Sequence, residues 1–139
     1  MRQLLSLTSM VFALGLGPFQ GAWAQTLDDV EQVIRDQISA FSEGDAERAY
    51  SHASDGIREQ FDSPDTFADM VRSQYGALYD PRRLSFSAPM PVSEERVHQV
   101  VLVMDRQGRN WRAVYSLVAV EGHWRIEGVV MRQANQQTV

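Results

Sequence analysis

His98, Tyr50 and Tyr115 are the residues of this sequence whose types could do acid–base chemistry together. An imidazole near its neutral pKa serves as a general base at physiological pH. A phenol can stabilise the oxygen of an enolate. The set sketches cofactor-free proton transfer on a carbonyl compound, with His98 as the base and Tyr50 or Tyr115 as the phenol. A carboxylate base would be the more usual partner, but the strand alternation expected below turns Glu127 away from the aromatic face. Asp69 lies off the apolar stripe of its helix.

A second, bland chemistry competes with the first. Tyr50, Phe67, Met70, Tyr79, His98, Trp111, Tyr115 and Trp124 offer apolar walls with a few polar tips, the composition of a pocket for a small apolar or amphipathic ligand. The same aromatic residues on the covered face of a sheet also simply fill a core. Glu127, Ser116 and Gln99, with Arg112 and Arg125 nearby, form a polar group on the other sheet face. It reads as a site or as cross-strand pairing at a subunit seam. Asp80-Pro81-Arg82-Arg83 places two guanidiniums at a helix-to-strand junction, where solvated charge and anion binding are the alternatives.

Other chemistries are excluded. His52, His98 and His123 fall in different elements and the chain has no Cys, so no zinc-ligand spacing exists and thiol catalysis is impossible. Ser116 lacks the Gly-x-Ser-x-Gly context of an esterase nucleophile. Neither a phosphate-binding loop nor a dinucleotide fingerprint is present, and no cofactor or metal is expected.

The elements that must position these residues follow from periodicity. Leu27, Val30, Ile34, Ile38 and Phe41 recur at helical spacing after a Thr26–Asp29 capping pair, which predicts a helix over 27–42. Asp45 caps a second helix with a stripe of small residues, Ala46, Ala49, Tyr50 and Ala53, ending near Ser54-Asp55-Gly56. Ile57–Phe61 reads as a connection. Ser63-Pro64 opens a third helix, over 64–75, with Gly76 as its stop. Beyond Pro81 the period becomes two: Leu84, Phe86 and Ala88 alternate in a strand that ends at Pro89-Met90-Pro91. Arg96–Asp105, Trp111–Val120 and Trp124–Arg132 follow as an antiparallel meander. Two-residue turns at Gln107-Gly108 and Glu121-Gly122 would put His98, Val100, Leu102, Met104, Trp111, Ala113, Tyr115, Leu117, Trp124, Ile126 and Val130 on one covered face. Val101, Val103, Val114, Val118 and Val129 would then share the opposite face with Val97, Gln99 and Met131. That surface is apolar enough to suggest a homodimer interface.

The chain has 139 residues, 44% apolar and 22% charged, the proportions of one globular domain. All thirteen basic residues are Arg, and eighteen acids leave a net charge of −5. Such an acidic chain is a poor nucleic-acid binder, despite Trp111 and Trp124 beside arginines. Residues 1–24 read as a cleavable signal peptide: Arg2, an apolar run from Leu4 to Gly17, Pro18, then the small-x-small site Ala22-Trp23-Ala24. The run is too short to span a membrane, and without Cys it cannot be a lipoprotein signal. Cleavage after Ala24 predicts a periplasmic domain of residues 25–139, free of the membrane, carrying twelve arginines against eighteen acids. Residues 133–139 are polar and expected to fray.

Three helices followed by a curved antiparallel sheet of about four strands resemble the nuclear transport factor two-like cone, an α+β, cystatin-like architecture shared with ketosteroid isomerase and SnoaL-like proteins. Three stretches are similar to an uncharacterised, secreted bacterial family of unknown function: Phe67 to Tyr75 before Asp80-Pro81, Gly108-Arg109-Asn110-Trp111-Arg112-Ala113-Val114-Tyr115-Ser116-Leu117, and Gly122-His123-Trp124-Arg125-Ile126. The resemblance implies a fold and a secreted state and brings no activity. Three functions fit: a non-enzymatic module binding a small ligand or a protein partner, a cofactor-free proton-transfer enzyme, or a structural dimerisation domain with a filled cone.

Overall fold

The computed structural model describes the backbone of residues 20–134 and the side chains of residues 27–134. Most of the expected leader and the tail beyond Ala134 lie outside the described residues. Helix α1 (Gln20–Ser42) starts earlier than the Thr26 cap suggested; beyond Gly21 the stretch Ala22-Trp23-Ala24-Gln25 is compatible with a helix. Its buried stripe is Val30, Ile34, Ile38 and Phe41, three to four residues apart on one side. Asp45 caps α2 (Ala46–Ser51) by accepting from Arg48 N at 3.1 Å. Ser54 then caps a helix where a connection was expected, α3 (Asp55–Gln60). Ser63 caps α4 (Pro64–Gln74), with Pro64 at its start, and Gly76 opens a single further turn, α5 (Gly76–Tyr79), instead of ending the helical region.

The sheet has the order β1-β3-β4-β5, formed by β1 (Arg83–Phe86), β3 (Arg96–Met104), β4 (Asn110–Val120) and β5 (His123–Gln133). Met90 and Pro91, expected to end the first strand, form a two-residue β2 that pairs with Val97 and His98 farther along the same edge of β3. The buried Gln99 stitches the gap between β1 and β2, its amide donating to Ser87 O at 2.7 Å and Val100 O at 2.9 Å. Helices therefore cover one side of an antiparallel sheet, as the residue pattern required.

The two hairpins differ from expectation in instructive ways. The β3–β4 turn has three residues, Arg106-Gln107-Gly108, closed by Asp105 N donating to Arg109 O at 2.9 Å, with Gly108 at φ +79°. Its geometry is fixed by the Asp105 carboxylate, which accepts from Gln107 N, Arg109 N, Arg109 Nε and Trp111 Nε1 at 2.8–2.9 Å. An odd-numbered loop shifts the register by one, so Val97 faces Leu117, Val101 faces Ala113 and Val103 faces Trp111. Every β3 side chain is consequently turned over. Val97, Gln99, Val101 and Val103 enter the core, while His98, Val100, Leu102 and Met104 lie on the open face.

The β4–β5 turn is the two-residue Glu121-Gly122, both at positive φ, as expected of a tight hairpin. Six residues on, a bulge inserts Glu127: Leu117 pairs with Ile126 but Ser116 pairs with Gly128. Past it Val129 and Met131 share the covered side with Tyr115 and Ala113, and Val130 moves to the open face. The main core joins Val30, Ile34 and Ile38 of α1 and Leu78 of α5 to Val97, Val101, Val103, Tyr115, Leu117, Trp124 and Ile126. A second cluster ties Ala40 and Phe41 of α1 to Ala49, Ala53, Phe67 and Val71.

Candidate functional site

The α2–α3 segment crosses the end of the sheet and pairs with β5: Ile126 N donates to His52 O at 2.8 Å and Ser54 N to Ile126 O at 2.9 Å. This clamp sits beside the bulge, and Ser54 within it also caps α3. A cleft of about 710 Å³ opens there, between α3, α4 and the ends of β4 and β5. Its walls are Ile57, Phe61, Phe67, Met70, Val71, Tyr75, Val118, Val120 and Val129, and its polar groups are Ser54, Asp55, Gln60, Gln74 and Glu127. The volume and the apolar-with-few-polar lining are those of a small-molecule site.

Of the residues expected to line a pocket, Phe67 and Met70 do so in this cleft. Tyr50 stands behind the wall: its ring lies 5.7 Å from Phe67, and its hydroxyl is 2.8 Å from Phe61 O and 3.0 Å from Arg58 O. That phenol is committed to holding the end of α3. Tyr79 borders a smaller cavity with Phe41 and Gly44, and Trp111 a third beside Asp105 and Arg109. Tyr115 and Trp124 are buried in the main core. Burial pushes the Tyr115 phenol well above its ordinary pKa, so it is neither an available acid nor part of the cleft.

His98 does not reach the covered face. The three-residue turn places it on the open side, half-buried opposite Ser116 and Met90. The same shift dissolves the group of Gln99, Ser116 and Glu127, since Gln99 is 1% exposed opposite Tyr115. It also corrects the expected seam. Val101 and Val103 are 0% and 1% exposed in the core, and Val118 and Val129 line the cleft, which leaves Val114 alone of the five on the open face.

Two carboxylates have roles that the alternation pattern did not reveal. Glu127 belongs to the cleft because a bulge, invisible to strict period-two counting, adds one residue to β5; its Oε1 accepts from Arg96 Nη2 at 3.2 Å. Asp36, on α1, pairs with His52 Nε2 at 2.5 Å and lies 3.4 Å from Arg48 Nε, latching α2 to α1 outside the cleft. The only sequence signal for that latch was the polar side of α1. Among the described residues no group of side chains is arranged to hold a metal ion, and no helix is long and apolar enough to cross a membrane.

Helices packed on one side of an antiparallel sheet, with a cleft at the sheet's open end, define an α+β protein with a nuclear transport factor two-like fold. The chain is similar to an NTF-2 like protein of unknown function from Silicibacter pomeroyi, with a TM-score of 0.57 and 19% identity over 81% of this chain and 98% of that one. By sequence it belongs to the family described as Domain of unknown function (DUF4864), whose model matches residues 24–139. No curated protein matches it.

Proposed function

We propose that this chain is a secreted, periplasmic, non-enzymatic module that holds a small amphipathic ligand in the cleft beside the β5 bulge. The observation that carries the reading is the cleft itself, about 710 Å³ with aromatic and aliphatic walls and a few polar groups at its edge. Proton-transfer catalysis has less support. His98 lies on the other side of the sheet, Tyr50 is hydrogen-bonded to two carbonyls, and Tyr115 is buried away from the cleft. The carboxylates that line the cleft, Asp55 and Glu127, and its phenol, Tyr75, are a different set from the three residues expected to do that chemistry.

Export is supported by the Arg2, apolar run and Ala22-Trp23-Ala24 sequence, and by a family match that begins at residue 24. Native mass spectrometry of the protein purified from its own periplasm tests the reading. The expected result is a reproducible bound mass, lost on denaturation and absent from Met70→Trp and Val129→Trp variants that fill the cleft. An adduct that survives both substitutions, or a chain starting at Met1, would count against it.

The open sheet face supports a second reading, a homodimer. Val100, Val114 and Val130 align across β3, β4 and β5, with Leu102 48% and Val130 61% exposed. The same spectrum reads this directly: twice the subunit mass in the protein and a single mass in Val130→Arg is the expected pair of results, whereas a monomer at all concentrations overturns it.

A further inference from the structure

The charge of the cleft narrows the ligand further. Asp55 and Glu127 are its two lining carboxylates, and among the described residues no Arg or His lines it. Glu127 has one oxygen held by Arg96, whose side chain is 55% exposed and stands outside the wall; its Oε2 has no partner among the described residues. Asp55 is exposed at the start of α3. Phe61, Phe67 and Tyr75 also line the cleft, and aromatic faces attract cations through their quadrupoles. An anionic head group would meet both carboxylates, with the Arg96 guanidinium outside the lining and already engaged by Glu127; a cationic one meets the carboxylates and the aromatic residues.

Resting on the cleft reading above, we infer that the ligand is an amphiphile with a positively charged amine head and an apolar body, the head beside Glu127 and Asp55 and the body against Phe67 and Met70. The Gln60 and Gln74 amides can accept the remaining hydrogen bonds of an ammonium group.

Three probes of one skeleton test this on the purified full protein: 4-phenylbutylamine, 4-phenylbutanol and 4-phenylbutyrate, titrated calorimetrically at low and high salt. The amine is expected to bind about tenfold more tightly than the carboxylate, with the alcohol between them, and its advantage should shrink as salt rises. Glu127→Gln and Asp55→Asn together should bring the three affinities to within about twofold of one another while leaving the alcohol unchanged. Because Glu127→Gln also frees Arg96, the Arg96→Gln/Glu127→Gln pair separates loss of the carboxylate from repulsion by the released guanidinium. Equal affinities for all three probes, or tighter binding of the carboxylate, overturn the charge assignment and leave the cleft reading standing. An amine preference that survives every variant overturns the role of these two carboxylates. No binding of any probe by a folded chain overturns the cleft reading and this inference with it.

Discussion

The two ends of the sheet each carry a carboxylate, and the two have opposite fates. At the β3–β4 turn Asp105 is 4% exposed and receives four hydrogen bonds, from two backbone amides, a guanidinium and an indole. At the β5 bulge Glu127 is partly exposed and receives one, from a mobile type of partner at 3.2 Å. A saturated carboxylate has no capacity left for a ligand; its hydrogen-bonding is spent on the geometry of the loop. An unsaturated one beside an apolar cleft retains that capacity. The difference separates structural acid from available acid by counting partners, where residue type and position in a strand pattern do not.

The largest expected effect concerns the register that Asp105 sets. With the three-residue turn, Val101 is fully buried in the main core, so Val101→Asp should unfold the domain, seen as loss of a cooperative thermal transition. The same charge at Val114, on the open face, should leave the fold intact. A folded Val101→Asp protein would mean that β3 faces the other way. Next in size, Asp105→Ala removes the acceptor for all four donors and should lower Tm by on the order of 10 °C. Burial raises the cost of the Asp105 charge, but the bonds from Trp111, Arg109 and Gln107 outweigh it and bring the pKa from 3.8 to about 2. A depressed folded pKa gives stability that is fully present above the unfolded value and fades as pH falls from about 3.8 toward 2. Denaturation midpoints between pH 5 and pH 2 should therefore fall faster in the wild type than in Asp105→Asn. Parallel curves would show that the four bonds do not favour the charged form.

The contrast also explains what could be read in advance. Periodicity found α1 through Val30, Ile34 and Ile38, and capping found α4 through Ser63-Pro64, because both signals are local. The Glu121-Gly122 hairpin was legible for the same reason. The β3–β4 register was not: Gln107-Gly108 looks like a two-residue turn, and only the convergence of Arg109 and Trp111 on Asp105 selects the three-residue form. One residue of error there moved His98 into the site and Val101 out of the core. The bulge at Glu127 was equally hidden, since local alternation does not mark it and the neighbouring Ile126 is bonded by His52 and Ser54 from a distant part of the chain. Phe67 and Met70 were found because a helical stripe faces the cleft whichever register the sheet adopts.

Two glycines sharpen the comparison at smaller scale. Gly108 holds φ at +79°, where a side chain is strained whatever the space around it, so Gly108→Ala should cost about 1 kcal/mol. Gly128, beside the bulge, has no positive φ, and an added Cβ meets nothing within 4 Å. Gly128→Ala should therefore shift the urea midpoint by less than about 0.5 kcal/mol in stability, a measurable inequality between the two ends.

The smallest effect on folding is expected of Glu127 itself. Its pair with Arg96 is solvent-accessible on both sides, and such pairs contribute less than about 1 kcal/mol. Glu127→Gln should thus leave Tm nearly unchanged, in contrast to Asp105→Ala. Chemical denaturation of the two variants side by side checks this. A loss at Glu127 as large as that at Asp105 would make the bulge carboxylate a second structural acid, and its place at the cleft would follow from packing. A negligible loss leaves the side chain free of any folding duty large enough to measure. Its position at the edge of a 710 Å³ cleft, with one oxygen unpartnered among the described residues, then leaves it free for the ligand role proposed above.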